Sequence, residues 1–393
     1  MKTTSSFACL FLAVCLSTSF GQGLLTPPGS PAPTMKTLDQ LDAKLEKRTP
    51  ISSLPYNLNT SGSYYLTTNL LTTAGYISVN ANNVTIDLNG FTMDGLTTGS
   101  FGIVVFSGNN LTVRNGVIRG INGGGVGVDG RSIACHFENV QEINDAGTGF
   151  WCGPGSSFVN CGFYGNQDQA IVGDVGTLVK NCIFVSNGIP FSVGTGSLIT
   201  GCTFFTNTGS LQLDPGVTVS DCSLVGNTTT HISGSDGDQI LNCLIRYGAF
   251  SGISLNNGCT VKNCIIEKNA QTGITCGNHC VIEDNQVVSN SFDGISAGSA
   301  SVILNNLASA NGIGNTTVAG IHTSGNGSRI EANQTRNNGG YGIRSDGGAG
   351  ADVIIRNTAG ANGFLNYQPS TGATFGTIQN PSSMTNTLGN IVF

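Results

Sequence analysis

Three side chains in the C-terminal half have the types that proton transfer on a bound substrate needs. Asp293, His322 and Arg344 bring together a carboxylate, an imidazole that titrates near neutrality and a permanent cation. In the repeat described below, Asp293 falls one unit before His322 and two before Arg344. One face therefore carries all three, and they are the candidate catalytic residues. The same face holds Ser254, Thr275 and Ser296, candidate ligand contacts, although a hydroxyl row is also what any solvated sheet carries. A pair of catalytic carboxylates at the separation glycoside hydrolysis requires does not stand out. Asp236 and Asp238, with Asp214 from the preceding unit, are the candidate oxygen ligands for Ca²⁺, and an ordinary acidic loop is the alternative. The four His and 13 Cys show no His-x-x-His or Cys-x-x-Cys spacing, so neither a transition-metal site nor another cofactor is expected.

What must position these residues is a repeat. Cys161, Cys182, Cys202, Cys222, Cys243 and Cys264 recur every 20 or 21 residues, and Asn285, Asn306, Asn333 and Asn357 continue the column. Five residues after each comes a second column: Asn166, Asn187, Asn207, Asn227, Gly248, Asn269, Asn290, Asn311, Asn338 and Asn362. A Gly-Ile pair returns behind it at Gly252-Ile253, Gly273-Ile274, Gly294-Ile295, Gly320-Ile321 and Gly342-Ile343. A unit this short cannot bury its own apolar face, so units must stack on one another.

Within a unit the apolar residues alternate, as at Ile253 and Leu255 or Cys264 and Ile266, which is the period of strands. Short strands separated by Gly, Asn and Ser make each unit one coil of a parallel β-solenoid, about 4.8 Å tall. About 13 coils fit between residues 64 and 366. Phe163, Phe184 and Phe204 then form an internal aromatic stack. The Asn column suits turns with positive φ, and stacked amides can bond from coil to coil. A leucine-rich repeat has an overlapping period, but its Leu-x-x-Leu-x-Leu frame is absent. The buried Cys are read as a ladder of free thiols, with Cys259 and Cys280 the pair best placed for a disulfide.

Outward positions beside the Cys column are apolar: Tyr164, Ile183, Val185, Phe205, Val225, Leu244 and Ile265. Such a patch marks a ligand or partner surface, where Tyr164 and Phe205 would stack on sugar rings. Cover by an N-terminal helix or by the tail from Asn366 to Phe393 is the alternative.

The ends and the composition narrow the function. Met1-Lys2, the apolar stretch from Phe7 to Leu16 and Ser19-Phe20-Gly21 read as a signal peptide over residues 1–21, hence export. Residues 22–49 are a Pro-rich linker with a short amphipathic helix carrying Leu38, Leu41 and Leu45. The β-solenoid is expected over residues 50–393. Charged residues make up only 10% of the 393, the net charge is −6, and 57 Gly with 41 Asn leave little room for helix. An acidic chain is a poor partner for nucleic acid, and no internal apolar run is long enough to span a membrane. The oligomeric state is not legible.

The Asn-Cys-x-Phe-x-x-Asn and Gly-Ile columns resemble those of right-handed, pectin-lyase-like parallel β-helix proteins. The opening Pro50-Ile51-Ser52-Ser53-Leu54-Pro55 and the segment Val84-Thr85-Ile86-Asp87-Leu88-Asn89-Gly90-Phe91 are similar to secreted bacterial members. The resemblance spans residues 50 to 393. It implies right-handed winding, a polar cleft along one sheet and, often, action on acidic polysaccharides. The catalytic motifs of polygalacturonase-like relatives (Asn-Thr-Asp, Gly-His-Gly, Arg-Ile-Lys) are missing, and Asp214-Pro215 is followed by Gly216 where epimerase-like relatives carry His. Two functions follow as expectations. One is non-catalytic presentation of a sheet face to polysaccharide or protein. The other is a polysaccharide lyase or related enzyme acting through Asp293, His322 and Arg344.

Overall fold

The computed structural model describes residues 48–393 except 124–125, 129–132, 349–351 and 384; side chains of 126–128 and 383 are also outside the description. The signal peptide, the linker and the helix expected over residues 36–47 lie outside these residues. Arg48, assigned to that helix from sequence, instead opens the strand Arg48–Ile51.

Among the described residues the chain winds as a parallel β-solenoid. One side is a sheet of fifteen strands, one per coil, and the remaining sides form a second sheet of thirty. A regular coil contributes three short strands, as in Gln169–Gly173, Leu178–Lys180 and Ile183–Val185. All pairing is between neighbouring coils, so like positions superpose: Phe163, Phe184, Phe204, Leu224, Ile245, Ile266 and Val287 form one vertical row. Fifteen coils exceed the expected 13, and one of the extra coils begins before residue 64. The strands Arg48–Ile51 and Tyr56–Leu58 belong to a first coil whose sequence carries none of the repeat columns.

The shaft is filled by side chains from all sides. Phe163, Phe184 and Phe204 stack with ring centroids 4.8 Å apart and planes within 10° of parallel. Phe191 meets Phe184 and Phe204 edge-on at 5.5 and 5.4 Å. The spacing equals one coil, so backbone hydrogen bonding and ring stacking demand the same rise.

Polar ladders hold the corners. In the second Asn column the backbone N–H donates to the amide oxygen one coil on wherever an Asn stands there, for example Asn290 N to Asn311 Oδ1 at 3.0 Å. The same side chain donates through Nδ2 to Asn311 Oδ1 (3.0 Å) and to the carbonyl of Ile266 (3.2 Å). A buried corner backbone, which would otherwise lack partners, is thereby satisfied. Positive φ falls one residue earlier than the sequence suggests, at Ser186, Thr206, Tyr247, Lys268, Ser289 and Ala310. The ladder Asn is therefore selected for its amide rather than for a left-handed backbone.

The Cys column is the other version of this corner. Cys182, Cys202 and Cys222 are buried vertical neighbours, and Cys182 N donates to Cys202 Sγ at 3.4 Å. Each thiol of the six lies 3.1–3.4 Å from the carbonyl two residues before it. All eleven described Cys are buried and free, Cys259 and Cys280 included. At Asn285 amides take over the column without a break, with Cys264 N donating to Asn285 Oδ1 at 2.9 Å. Asn390 ends it, so the C-terminal tail closes the last coil instead of covering the apolar row.

Gly248 leaves one slot of the Asn ladder without a side chain. His231, fully buried, fills the space, with Nδ1 2.9 Å from Asn227 Nδ2. Burial pushes the His231 imidazole down to about 4, so it is neutral. A Cβ on Gly248 would come 2.6 Å from His231 Nε2. Gly248→Ala is therefore expected to cost about 1–3 kcal/mol, read as a lower urea midpoint. An unchanged midpoint would show that the slot is not filled.

Candidate functional site

The outward row of the fifteen-stranded sheet is the surface on which the predicted residues meet. Register places Ser254 beside Thr275, Thr275 beside Ser296, Ser296 beside His322 and His322 beside Arg344. The row continues on the other side through Ser233, Gln212, Ser192 and Val172 to Trp151, whose side is exposed. Ser254, Thr275 and Ser296 alternate with buried Ile and Leu, Cys or Ala, which is why the strand pleat turns their hydroxyls outward.

At its C-terminal end the row runs into an ionic cluster. His322 Nδ1 lies 3.3 Å from Asp293 Oδ2, and His322 Nε2 lies 3.1 Å from Asp346 Oδ2. Arg344 grips the same Asp346 with Nε to Oδ1 at 2.8 Å and a terminal nitrogen 2.5 Å from Oδ2. A second terminal nitrogen donates to the carbonyl of Thr317 at 3.0 Å, and Asp293 Oδ1 accepts the Ala319 N–H at 2.6 Å. Thr317 and Ala319 belong to the coil between Asn311 and Asn338, which is 27 residues long where the regular coils have 20 or 21. That insertion clamps the cluster from one side.

The neighbouring charges bias the protonation of the cluster. Hydrogen bonding to Asp293, then its charge and those of Asp346, outweigh burial and hold the His322 imidazole above its ordinary value. Burial pushes Asp346 up, but Arg344 and His322 together bring it below the usual carboxylate range. The imidazolium form, which donates from both nitrogens, is thereby favoured over the free base, and Arg344 is held by Asp346.

The cluster unites the three predicted catalytic residues and adds Asp346, which the sequence reading missed. Asp346 stands just past the strand Tyr341–Ser345, outside every repeat column, and no motif signals it. An aromatic edge was missed as well. Phe250, Gln271 and Phe292 follow one another on successive coils, four residues before Ser254, Thr275 and Ser296. Both Phe are about half exposed, at 46% and 48%. Farther on, the Tyr341 ring lies under Arg344 at 5.3 Å and meets Phe364 edge-on at 5.2 Å. The signal available was the constant four-residue offset from the hydroxyl row, hidden because Phe alternates with Gln.

The other predicted contacts lie elsewhere. Tyr164 and Phe205 face outward two coils apart on the thirty-stranded sheet, with Ile183 and Ile265 also exposed. They share no surface with the hydroxyl row. Of the three acidic residues proposed for Ca²⁺, two are engaged by backbone N–H groups. Asp238 is buried and accepts the N–H groups of Val217 (2.9 Å) and Ser235 (2.7 Å), while Asp236 accepts from Asn257 at 2.9 Å.

Residues 143–281 match the family model described as right handed beta helix region. The chain is a right-handed parallel β-helix. Among curated proteins none matches the sequence. Several solved structures are similar to this β-helix at low identity. The A-module of the mannuronan C-5 epimerase AlgE6 of Azotobacter vinelandii is 12% identical with a TM-score of 0.30, over 90% of this chain and 91% of that one. The Dettilon tailspike protein gp208 is 14% identical with a TM-score of 0.38, over 72% of this chain and 62% of its own. The alginate lyase AlyF-OU02, in complex with G6, is 14% identical with a TM-score of 0.34, over 91% and 84%. Among the described residues, no helix of the β-helix is long and apolar enough to cross a membrane.

Proposed function

We propose that this exported β-helix binds an extended polysaccharide along the outward row of its fifteen-stranded sheet and performs no chemistry on it. The observation that carries the reading is the pairing of a hydroxyl floor, Ser254, Thr275 and Ser296, with an aromatic edge at Phe250 and Phe292. Hydroxyls on successive coils repeat about every 4.8 Å, a regular array suited to a regular polymer. Exposed aromatic rings supply flat apolar faces for sugar rings. The ionic cluster at the end of the row supports binding over catalysis, because His322 and Arg344 are both occupied by carboxylates of the protein itself.

A second reading, a polysaccharide lyase acting at Asp293, His322 and Arg344, is favoured by the convergence of those three residues on one cluster. Its requirement is a free base, which demands that Asp293 or Asp346 let go of the imidazole.

Purified protein run through gels containing neutral or acidic polysaccharides, with ultraviolet absorbance of unsaturated product followed in parallel, separates the two. Retention without product is expected. Product that disappears in His322→Ala and Arg344→Ala would replace the binding reading with the enzymatic one. No retention by any polysaccharide would end both.

A further inference from the structure

Two acids sit in interior rows that the coils just after them fill with apolar and amide side chains. Glu142, on the strand His136–Ile143, is fully buried in the row that holds Ile118 one coil before and Phe163 one coil after. Asp145 is fully buried in the slot that Asn fills from Asn166 onward. As a ladder member it serves well: its N–H donates to Asn166 Oδ1 at 3.0 Å, and its Oδ1 accepts the Ile121 N–H at 2.9 Å. Glu142 Oε2 accepts Asn166 Nδ2 at 3.3 Å. One oxygen of each acid, Glu142 Oε1 and Asp145 Oδ2, has no hydrogen-bond partner among the described residues. Both acids bond the same Asn166 amide, which brings the two carboxyls to one point of the interior.

Two unsatisfied, buried carboxyl oxygens gathered at one amide are tolerable only if a proton is held between the two acids. We infer that Glu142 and Asp145 share one proton, donated from Glu142 Oε1 to Asp145 Oδ2, and that its loss loosens the joint between the first coils and the regular stack. The assignment of donor follows from the surroundings. Glu142 lies among Ile118, Phe163 and Gly149, where burial and the neighbouring Asp145 hold its carboxyl well above the usual range. Burial pushes Asp145 up to about 6, but the hydrogen bond from Glu142 and the N–H groups of Ile121 and Gly120 favour its charged form. The remaining titratable group against the pair is Cys161, whose effect on Glu142 is to raise it further. No Lys, Arg or His contact compensates the pair among the described residues.

The sign is fixed by the direction of both shifts. Folded values above the ordinary carboxyl value mean that the contribution is whole in acid, and is lost as pH rises through about 6 and on toward the higher Glu142 value. A charged pair at this point would repel itself and release the Ile121 N–H, opening the coils on either side.

The test is amide hydrogen exchange at Ile121, corrected for intrinsic chemistry, between about pH 5 and pH 8, with Asn311 N–H as a distant reference. Opening at Ile121 is expected to rise up to about tenfold per pH unit, one proton's worth, while Asn311 stays flat. Glu142→Gln should flatten the Ile121 slope. Asp145→Asn restores the residue type of the ladder and should flatten it too, and this variant carries the test if Glu142→Gln fails to fold. An Ile121 slope no steeper than that of Asn311, or a steep slope that survives in the folded variants, would overturn the inference. His322 is a titratable group as well, but it lies some eight coils away, so a local readout separates the two.

Discussion

Phe184→Ala is expected to cost about 3–5 kcal/mol, most of the stability of an ordinary domain. The ring is fully buried and sandwiched between Phe163 and Phe204 at 4.8 Å on either side, with Phe191 closing the edge. Removing it takes away ring contacts on three sides at once. The coil above and the coil below cannot close the gap, because their separation is set by backbone hydrogen bonds and not by the rings. The cavity should therefore persist, and the cost should sit at the upper end for a Phe. Urea unfolding of the two proteins checks it. A loss under about 1 kcal/mol would mean the shaft relaxes and the aromatic stack is not a structural element.

Asn290→Asp should cost about as much, roughly 3–5 kcal/mol at neutral pH, with no change in volume. Asn290 Nδ2 donates to the carbonyl of Ile266 at 3.2 Å and to Asn311 Oδ1 at 3.0 Å, both deep inside the corner. In the variant a carboxylate oxygen faces those two acceptors, an uncompensated buried charge. Burial raises the value of the new carboxyl, so the variant should recover part of its loss in acid and lose it again as pH rises. Unfolding midpoints for parent and variant at about pH 4 and pH 8 measure this. A variant equal to the parent at the higher pH, or one whose deficit ignores pH, would show that the amide ladder carries little energy.

The coil itself is legible because stacking makes it so. A column of Cys or Asn keeps its register only if each member touches the next, and the structure joins those very residues by hydrogen bonds. Where a coil is built without columns, as over residues 48–58, nothing periodic marks it, and that first coil went uncounted. At the Asn-ladder corner the position of the positive φ was misread by one residue, because that turn tolerates Ser, Thr, Tyr or Ala, whereas before the Cys column Asn160, Asn181, Asn242 and Asn263 mark it. Of the candidate site, Asp293, His322 and Arg344 were readable from register alone. Asp346 was not, since the loop carrying it belongs to no repeat, and it changes the chemistry of the cluster by engaging both His322 and Arg344. The Gly248 gap was visible, but not that His231, from seventeen residues earlier, fills it.

The central claim is that the hydroxyl row with its aromatic edge is the surface that meets a polysaccharide. The most direct measurement is retention in a gel containing the polysaccharide that best retards the parent protein, for two double variants side by side. Phe250→Ala with Phe292→Ala should lower the affinity on the order of tenfold or more, whereas Tyr164→Ala with Phe205→Ala, on the other sheet, should migrate as the parent does. The opposite pattern would move the binding surface to the thirty-stranded sheet and contradict the account.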